Sequence, residues 1–248
     1  QYYGAKRPEM VGYAVHTALM FSILSGIVLM FVGIGLAPFL LESMGTPEDV
    51  LGLSVVYLRI YFAGIIANLV YNVGAAILRA VGDSKRPLYF LAASCMVNIA
   101  LDIVLVVFFR LGVVGAAIAT ILSQLFSAFL VVVCLIRTKD MHRLVLRKLR
   151  LDGRMLKRII RIGLPAGMQS VMYGLSNVII QSGINSLGTN TVAAWAAYSK
   201  LDSMFWMMIN AFGISITTFV GQNYGAGKMD RVHKGVRTCM GITAGVTV

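Results

Sequence analysis

The sequence has few charged residues and few cysteines, and each shortage excludes a class of protein. Only 13% of its 248 residues are charged, whereas 58% are hydrophobic. A water-soluble domain needs more polar residues than this to cover its core. The three cysteines are isolated and form no CxxC pair, which argues against a disulfide framework and against a zinc site. HExxH, P-loop and GxSxG motifs are also missing from the sequence, so none of these catalytic signatures is available.

Long apolar runs take the place of charge. Six complete runs cover roughly 17–41, 51–79, 87–109, 113–136, 163–187 and 191–220, and a seventh begins near Cys239. A helix of such length crosses the hydrocarbon core of a bilayer, which is about 30 Å thick. The sequence therefore predicts an all-α polytopic membrane protein.

The basic residues are confined to alternate loops. All but three of the 22 Lys and Arg lie before the first span, between spans two and three, between four and five, or after span six. The exceptions are Arg59, Arg110 and Lys200. By the positive-inside rule, the base-rich loops are cytoplasmic. The net charge of +12 is then explained by topology and by attraction to anionic lipid, without nucleic acid.

The longest basic loop, 137–162, also contains apolar residues. They predict an amphipathic segment on the membrane surface, and they are Met141, Leu144, Val145, Leu149 and Leu151.

Two similar segments indicate an internal repeat. The chain opens "QYYGAKRPEMVGYAVHT", and a shift of 221 residues aligns this with "QNYGAGKMDRVHKGVRT" at seven of 17 positions. Parallel repeats of two halves are a common transporter plan. Because the shift covers six spans, we expect a twelve-span protein. Two spans would precede this chain, and the partial seventh run would begin the last four.

Several stretches resemble the multidrug and toxic compound extrusion (MATE) transporters. They are "QYYGAK", "GQNYGAGK", "NVGAAILRAVGDSKRPLYF", "NIALDIVLV", "GVVGAAIATILSQ" and "GLPAGMQSVMYGLSNVIIQSGINSLGTNTVAAW". The resemblance implies a twelve-helix fold of two six-helix lobes. Residues 1–136 would hold the end of helix 2 and helices 3–6, residues 137–162 a cytoplasmic connector, and residues 163–248 helices 7–8 and the start of helix 9.

The resemblance also implies an activity. The protein would be a monomeric, multi-pass antiporter of a bacterial cytoplasmic membrane, bound by lipid and not by nucleic acid. It would export a small molecule, a drug or an organic cation, by alternating access. Inward Na⁺ or H⁺ would drive export, and no cofactor is expected.

One acidic residue lies deep inside an apolar run. Asp102 is nine residues before Leu111, in the middle of a short outer turn, and Thr120 is nine after it. At 1.5 Å per residue, both would lie about 13 Å from the turn, and Asn98 lies one helical turn from Asp102. Their oxygens suit Na⁺ or, at the carboxylate, a proton, and intramembrane acids are usually functional.

The family resemblance adds Asn72 to this cation or proton site, together with an aspartate on helix 1. Counting places Asn72 about a turn nearer the cytoplasm than Asp102. Sodium-coupled members of one branch carry a further acid on helix 7, where this sequence has Tyr173. A second cation site using that acid is therefore not expected.

Further polar residues lie in the fifth and sixth runs. A stripe with four-residue spacing lines either the substrate cavity or a neighbouring helix, and consists of Gln169, Tyr173, Asn177 and Gln181. Lys200, Asp202 and Asn210 are further cavity candidates in the next run.

Two other functions remain open from the sequence. A flippase of lipid-linked oligosaccharides on the same fold would need a cavity rich in Arg and Lys, and the spans contain only Arg59 and Lys200. A membrane-embedded enzyme would need a paired nucleophile and base or a metal cluster at bilayer depth, and these spans contain neither.

The loop charges make a testable prediction about topology. In a background without the native cysteines, Lys148→Cys should react with a membrane-impermeant thiol reagent only after cells are opened, whereas Thr46→Cys should react in intact cells. The reason is the excess of basic residues around position 148. Labelling of position 148 from outside would contradict the assigned orientation.

Overall fold

The computed structural model of the chain describes residues 1–44, 46–185 and 188–247. The helices in this part of the chain are α1 (Pro8–Ser43), α2 (Glu48–Ala63), α3 (Ile65–Ala80), α4 (Lys85–Asp102), α5 (Gly112–Arg137), α6 (Gly153–Asn185), α7 (Thr189–Gly225) and α8 (Met229–Thr247). A π-helical segment, Ile103–Phe108, continues α4. The predicted all-α membrane fold is confirmed.

The helices cover the predicted spans, but one of them, α6, is less apolar than the others. Four of them are long and apolar enough to cross a membrane: α1, α4 with its π-helical segment, α5 and α7. The bent pair α2 and α3 adds a fifth when it is counted as one span. Helix α6 covers the predicted span 163–187 up to its last two residues, which lie outside the described residues. It does not meet the same criterion, because its recurring polar side chains interrupt the apolar run.

The chain bends by 46° between α2 and α3. Gly64 occupies the bend, and a Cβ atom at this position would lie 2.5 Å from the Ile121 side chain. Glycine is therefore required for the close approach of α5 to the bend, and kinks of this kind commonly occur at glycine.

Residues Pro8–Asp152 form one compact unit. In it α5 packs against α2, α3 and α4, and α1 packs against α2 and α3. Small residues lie at these contacts: Gly26 meets Ile66 at 3.0 Å and Gly74 meets Val131 at 2.9 Å, measured from a Cβ placed on each glycine. Close packing of this kind is what holds helices together in lipid, where burial of apolar surface gives no advantage.

The connector after α5 folds back onto the same unit. The Leu144 N–H donates to the Leu135 carbonyl at 2.9 Å, and Leu144 is only 3% exposed. Burial also lowers the pKa of His142. Where the sequence predicted an amphipathic segment, the described residues contain a single 3₁₀ turn, Leu146–Lys148. Helix α6 begins at Gly153, so the last part of the predicted connector is helical.

The second compact unit joins Gln1–Arg7 to Gly153–Val248. In it α7 packs against α6 and α8, and the Arg158 guanidinium lies 5.8 Å from the centre of the Tyr2 ring. The short segment that precedes α1 thus packs with the carboxy-terminal helices.

The two copies of the repeated motif contact each other within this unit. A Cβ atom on Gly4 would lie 2.7 Å from the carbonyl carbon of Gln222, and a Cβ atom on Gly225 would lie 2.7 Å from the carbonyl carbon of Gln1. Gln1 corresponds to Gln222 and Gly4 to Gly225 under the 221-residue shift. The contact is therefore reciprocal, as at a two-fold interface, and each glycine lets the other copy's backbone approach.

This contact predicts that Gly4→Ala and Gly225→Ala each destabilise the full-length protein by about 1–3 kcal/mol, the usual cost of overpacking. Both added methyl groups would meet backbone, which has little freedom to move. The measurement is thermal unfolding of the purified protein in detergent.

Gly153→Ala is the matched control, since a Cβ there meets nothing within 4 Å. It should leave the unfolding temperature unchanged or slightly raised, because alanine restricts the unfolded chain. Equal unfolding temperatures for all three variants would contradict the reciprocal contact.

Candidate functional site

Asp102 is the last residue of α4, directly before the π-helical segment. Its residue is partly buried, and its Oδ1 atom is fully buried without a hydrogen-bond partner in the part of the chain that the structure describes. Short π-helical segments occur frequently at functional sites. A buried, unsatisfied carboxylate oxygen at such a position is energetically costly, so it needs a physical explanation.

Helix α5 holds the π-helical segment in place. A Cβ atom on Gly115 would lie 3.1 Å from both the carbon and the oxygen of the Leu105 carbonyl. That same oxygen accepts the Leu111 N–H at 3.0 Å. The backbone that follows Asp102 is therefore fixed against α5 through a glycine, and the turn to α5 is closed by the same carbonyl.

A buried hydrogen bond joins α4 to α5 on the other side of Asp102. The Ser94 hydroxyl donates to the Ser123 carbonyl at 2.5 Å, and both serines are 6% exposed. Ser94, Asn98 and Asp102 follow at four-residue spacing and so share a face of α4. The hydrogen bond shows that this face meets α5.

This contact also gives the register of the antiparallel pair. Thr120 is three residues before Ser123, and Asn98 is four residues after Ser94, while Gly115 faces Leu105 nearer the outer turn. Together these contacts place Thr120 at the depth of the turn from Asn98 to Asp102. The Thr120 hydroxyl donates to the Ala116 carbonyl at 2.9 Å, which leaves its oxygen lone pairs available to a cation.

Asn72 is placed apart from these residues. It is exposed on α3 and donates to the carbonyl and side-chain oxygens of Asn68 at 2.8 and 3.0 Å. Gly74, two residues on, packs against Val131, which is three turns of α5 from Thr120. Within the described residues the structure does not bring Asn72 to Asp102.

The polar stripe of α6 forms an open groove of about 610 Å³. Gln169, Tyr173 and Asn177 line it together with apolar and small residues, which are Pro165, Met168, Met172, Ser176 and Ile180. Gln181 is outside this lining. The Tyr173 ring meets the Trp206 ring of α7 edge-on, with 6.3 Å between centroids, so the groove borders the contact between α6 and α7.

Among the described residues, the three candidates on α7 form no hydrogen bond with the side chains that line the groove. Lys200 is exposed and Asp202 is partly buried, and the two form no ion pair within the described chain. The Asn210 amide donates to the Trp206 carbonyl of its own helix at 2.8 Å.

Two features of the site were not predicted from the sequence. The π-helical segment has no signal in "IVLVVF", which reads as an ordinary apolar run. The pair Ser94 and Ser123 had a signal, since small residues in membrane helices commonly mark interfaces. No group of three His, Cys, Asp or Glu side chains that could hold a metal ion occurs among the described residues.

Comparison with known proteins identifies the family. The sequence profile of the MatE family matches residues 1–104 and 165–248. The Bacillus subtilis (strain 168) protein described as "Probable multidrug resistance protein YoeA" is 34% identical over 245 residues, which are 96% of this chain and 53% of that protein. "Probable multidrug resistance protein YpnP" of the same organism is 32% identical over 228 residues, 91% of this chain and 51% of that protein.

A solved structure described as "Crystal structure of MATE in the bent conformation" has the same fold. It superimposes with a TM-score of 0.89 at 26% sequence identity, over 97% of this chain and 54% of that one. This chain therefore spans about half the length of the relatives it matches. Its sequence profile, its relatives and its helical architecture agree, and the chain belongs to the MatE family of multi-pass membrane transporters.

Proposed function

We propose that the protein containing this chain is a secondary antiporter that exports drugs or organic cations across the cytoplasmic membrane, driven by inward Na⁺ or H⁺. The observation that carries the proposal is the buried Asp102 Oδ1 atom, which has no hydrogen-bond partner among the described residues. An ion-coupled transporter needs a group that is satisfied when the ion is bound and unsatisfied when it has left. In this proposal Asp102 is that group.

The surroundings of Asp102 suit either coupling ion. Protonation would convert the carboxylate to a neutral acid, and Na⁺ would be bound by its oxygens together with the Asn98 amide and the Thr120 hydroxyl. Irregular helix backbone offers carbonyl oxygens to such ions in other transporters. The change from α- to π-helical winding after Asp102 provides irregular backbone at this depth.

The remaining candidate, Asn72, would act elsewhere in this proposal. Its hydrogen bonds to Asn68 keep it on α3, so a direct bond to the ion would require those bonds to break. We infer that it supports α3 and that the ion is held by the α4 and α5 side chains.

The repeated motifs support an alternating-access cycle. The reciprocal contact of Gly4 with Gln222 and of Gly225 with Gln1 joins the two copies at the base-rich, cytoplasmic side. A contact of this symmetry can separate as a unit, and its separation would open a path from the cytoplasm. Rigid movement of one repeat against the other is the general mechanism of such transporters.

The groove on α6 is our proposed part of the substrate cavity. It offers two amides and the face of Tyr173, and aromatic faces attract organic cations. The names of the two Bacillus relatives refer to multidrug resistance, which supports drugs as the substrate class. A flippase of lipid-linked diphosphates would need more basic residues than Arg59 and Lys200, which are the ones in these spans. Membership of a transporter family also favours transport over catalysis.

The first test concerns coupling. In proteoliposomes of the full-length protein with an imposed Na⁺ or H⁺ gradient, Asp102→Asn should abolish dye efflux, because the amide cannot change charge. Asp102→Glu keeps the charge but moves it by one methylene, and should retain partial efflux.

The matched control is Glu42→Gln, which removes an exposed acid near the end of α1 and should transport normally. Insertion and folding are checked by size-exclusion chromatography and thermal unfolding. Wild-type efflux from a well-folded Asp102→Asn protein would refute the coupling role.

The second test concerns the groove. Asn177→Leu should raise the KM for a cationic dye by roughly tenfold, the value of one or two lost hydrogen bonds, while the number of ions moved per dye stays the same. Ser170→Ala is the control, since this hydroxyl donates to the Ala166 carbonyl at 3.1 Å and does not line the groove. An unchanged KM for Asn177→Leu would remove the groove from the substrate path.

A further inference from the structure

A basic pocket lies at the cytoplasmic start of α1, where the connector crosses the helix. It has a volume of about 640 Å³. One wall is the first turns of α1, from Pro8 to His16, and the other is the connector from Arg143 to Arg150. The whole pocket belongs to the unit Pro8–Asp152, and none of the candidate coupling residues lines it.

The lining of the pocket is strongly positive. Its four cations are Arg143, Arg147, Lys148 and Arg150, and its one acid is Glu9. Within the described residues none of the four cations is in an ion pair, since the ion pairs there are Arg86 with Asp83 and His142 with Asp140. Four cations against one acid leave the pocket with a net positive charge, so an anion in it would be stabilising.

The connector is fixed in place, so the pocket is preformed. The His16 ring is 7% exposed, and its Nδ1 donates to the Gly12 carbonyl at 2.6 Å. In that tautomer Nε2 accepts the Val145 N–H at 3.1 Å. Two further contacts tie the connector to α1: the Arg150 guanidinium lies 5.3 Å from the centre of the Tyr13 ring, and the Asp152 N–H donates to Thr17 Oγ1 at 3.1 Å.

The chemistry of the pocket matches a phosphate group. Arginine side chains bind phosphate with two parallel hydrogen bonds, and lysine supplies a point charge. The free N–H groups at the start of α1 and the positive end of its dipole add to the attraction. The four cations alone would attract a phosphate group, and the start of α1 adds to that attraction.

The position of the pocket identifies the source of that phosphate. The loop charges place the start of α1 on the cytoplasmic side, so the pocket would lie near the lipid headgroups of that side. Exposed apolar side chains stand beside the cations, with Leu146 57% exposed and Leu151 40% exposed. Cations and apolar side chains next to each other are typical of a surface that contacts headgroup and acyl chain together.

We propose that this pocket binds the phosphate of an anionic phospholipid headgroup. This inference is independent of the ion-coupled cycle: it requires the connector and α1, and neither Asp102 nor a substrate. Only four of the ten connector cations line the pocket. A defined lipid site can therefore be distinguished from the general attraction of basic loops to anionic membranes.

The test is titration of the purified full-length protein with phosphatidylglycerol in detergent, followed by native mass spectrometry of the bound lipid. Arg147→Gln/Lys148→Gln removes two pocket cations. Each basic residue at a membrane surface contributes about fivefold in affinity, so lipid binding should weaken roughly 20-fold. Arg137→Gln/Lys139→Gln removes two exposed connector cations outside the pocket and should weaken binding by less than about threefold.

A second variant tests the opposite direction. Glu9→Gln removes the one acid of the pocket and should tighten lipid binding by about two- to fivefold. This variant keeps the proposal testable even where the double variant folds poorly, which thermal unfolding would reveal.

A parallel titration with inorganic phosphate distinguishes the two sources of the anion. Loss of lipid binding in the pocket variant alone, with phosphate unable to displace the lipid at millimolar concentration, supports the proposal. Equal losses in the two double variants, or unchanged lipid binding in Glu9→Gln, would overturn it as mere surface attraction. Phosphate binding that depends on the pocket, with lipid binding that does not, would overturn the lipid as the ligand.

Discussion

The scarcity of hydrogen-bond partners inside the bilayer is the constraint on which this structure depends. No water is available there to satisfy a polar group, so each one must find a partner in the protein or bind an ion. Many polar side chains of the helices donate a hydrogen bond to a backbone carbonyl of their own helix. Examples are Thr120 to Ala116, Asn72 to Asn68 and Asn210 to Trp206. Among the described membrane helices, Asp102 Oδ1 is the buried side-chain atom without a hydrogen-bond partner, and the proposed function follows from that exception.

Close helix packing makes the exception possible. The hydrogen bond from Ser94 to Ser123 and the approach of Gly115 to Leu105 fix α4 and α5 on either side of Asp102. A carboxylate held between two such contacts cannot easily turn away to find a partner. The same use of glycine recurs at the bend at Gly64 and in the reciprocal contact of Gly4 and Gly225. Small residues therefore determine both the shape of the helix bundle and the surroundings of its acid.

The sequence predicted the helices well and the details of the site less well. Apolar run length and loop charge suffice for spans, and the family resemblance carried by "NIALDIVLV" and the other motifs is confirmed by the matching family profile. The π-helical segment could not be predicted, because its residues are apolar and β-branched like the rest of the run. Helical counting from the outer turn could place Thr120 only to within about one turn of Asp102. Counting also could not show that Asn72 bonds to Asn68. The roles of these residues in coupling stay predictions.

The central claim is that the Asp102 carboxylate binds and releases the coupling ion. Infrared difference spectroscopy of the purified full-length protein tests it most directly, because a carboxyl group absorbs at different frequencies when it is free, protonated or bound to Na⁺. The account predicts a carboxyl difference signal on addition of Na⁺ or on a change of pH, present in the wild type and missing in Asp102→Asn. Identical difference spectra for the two proteins would contradict it.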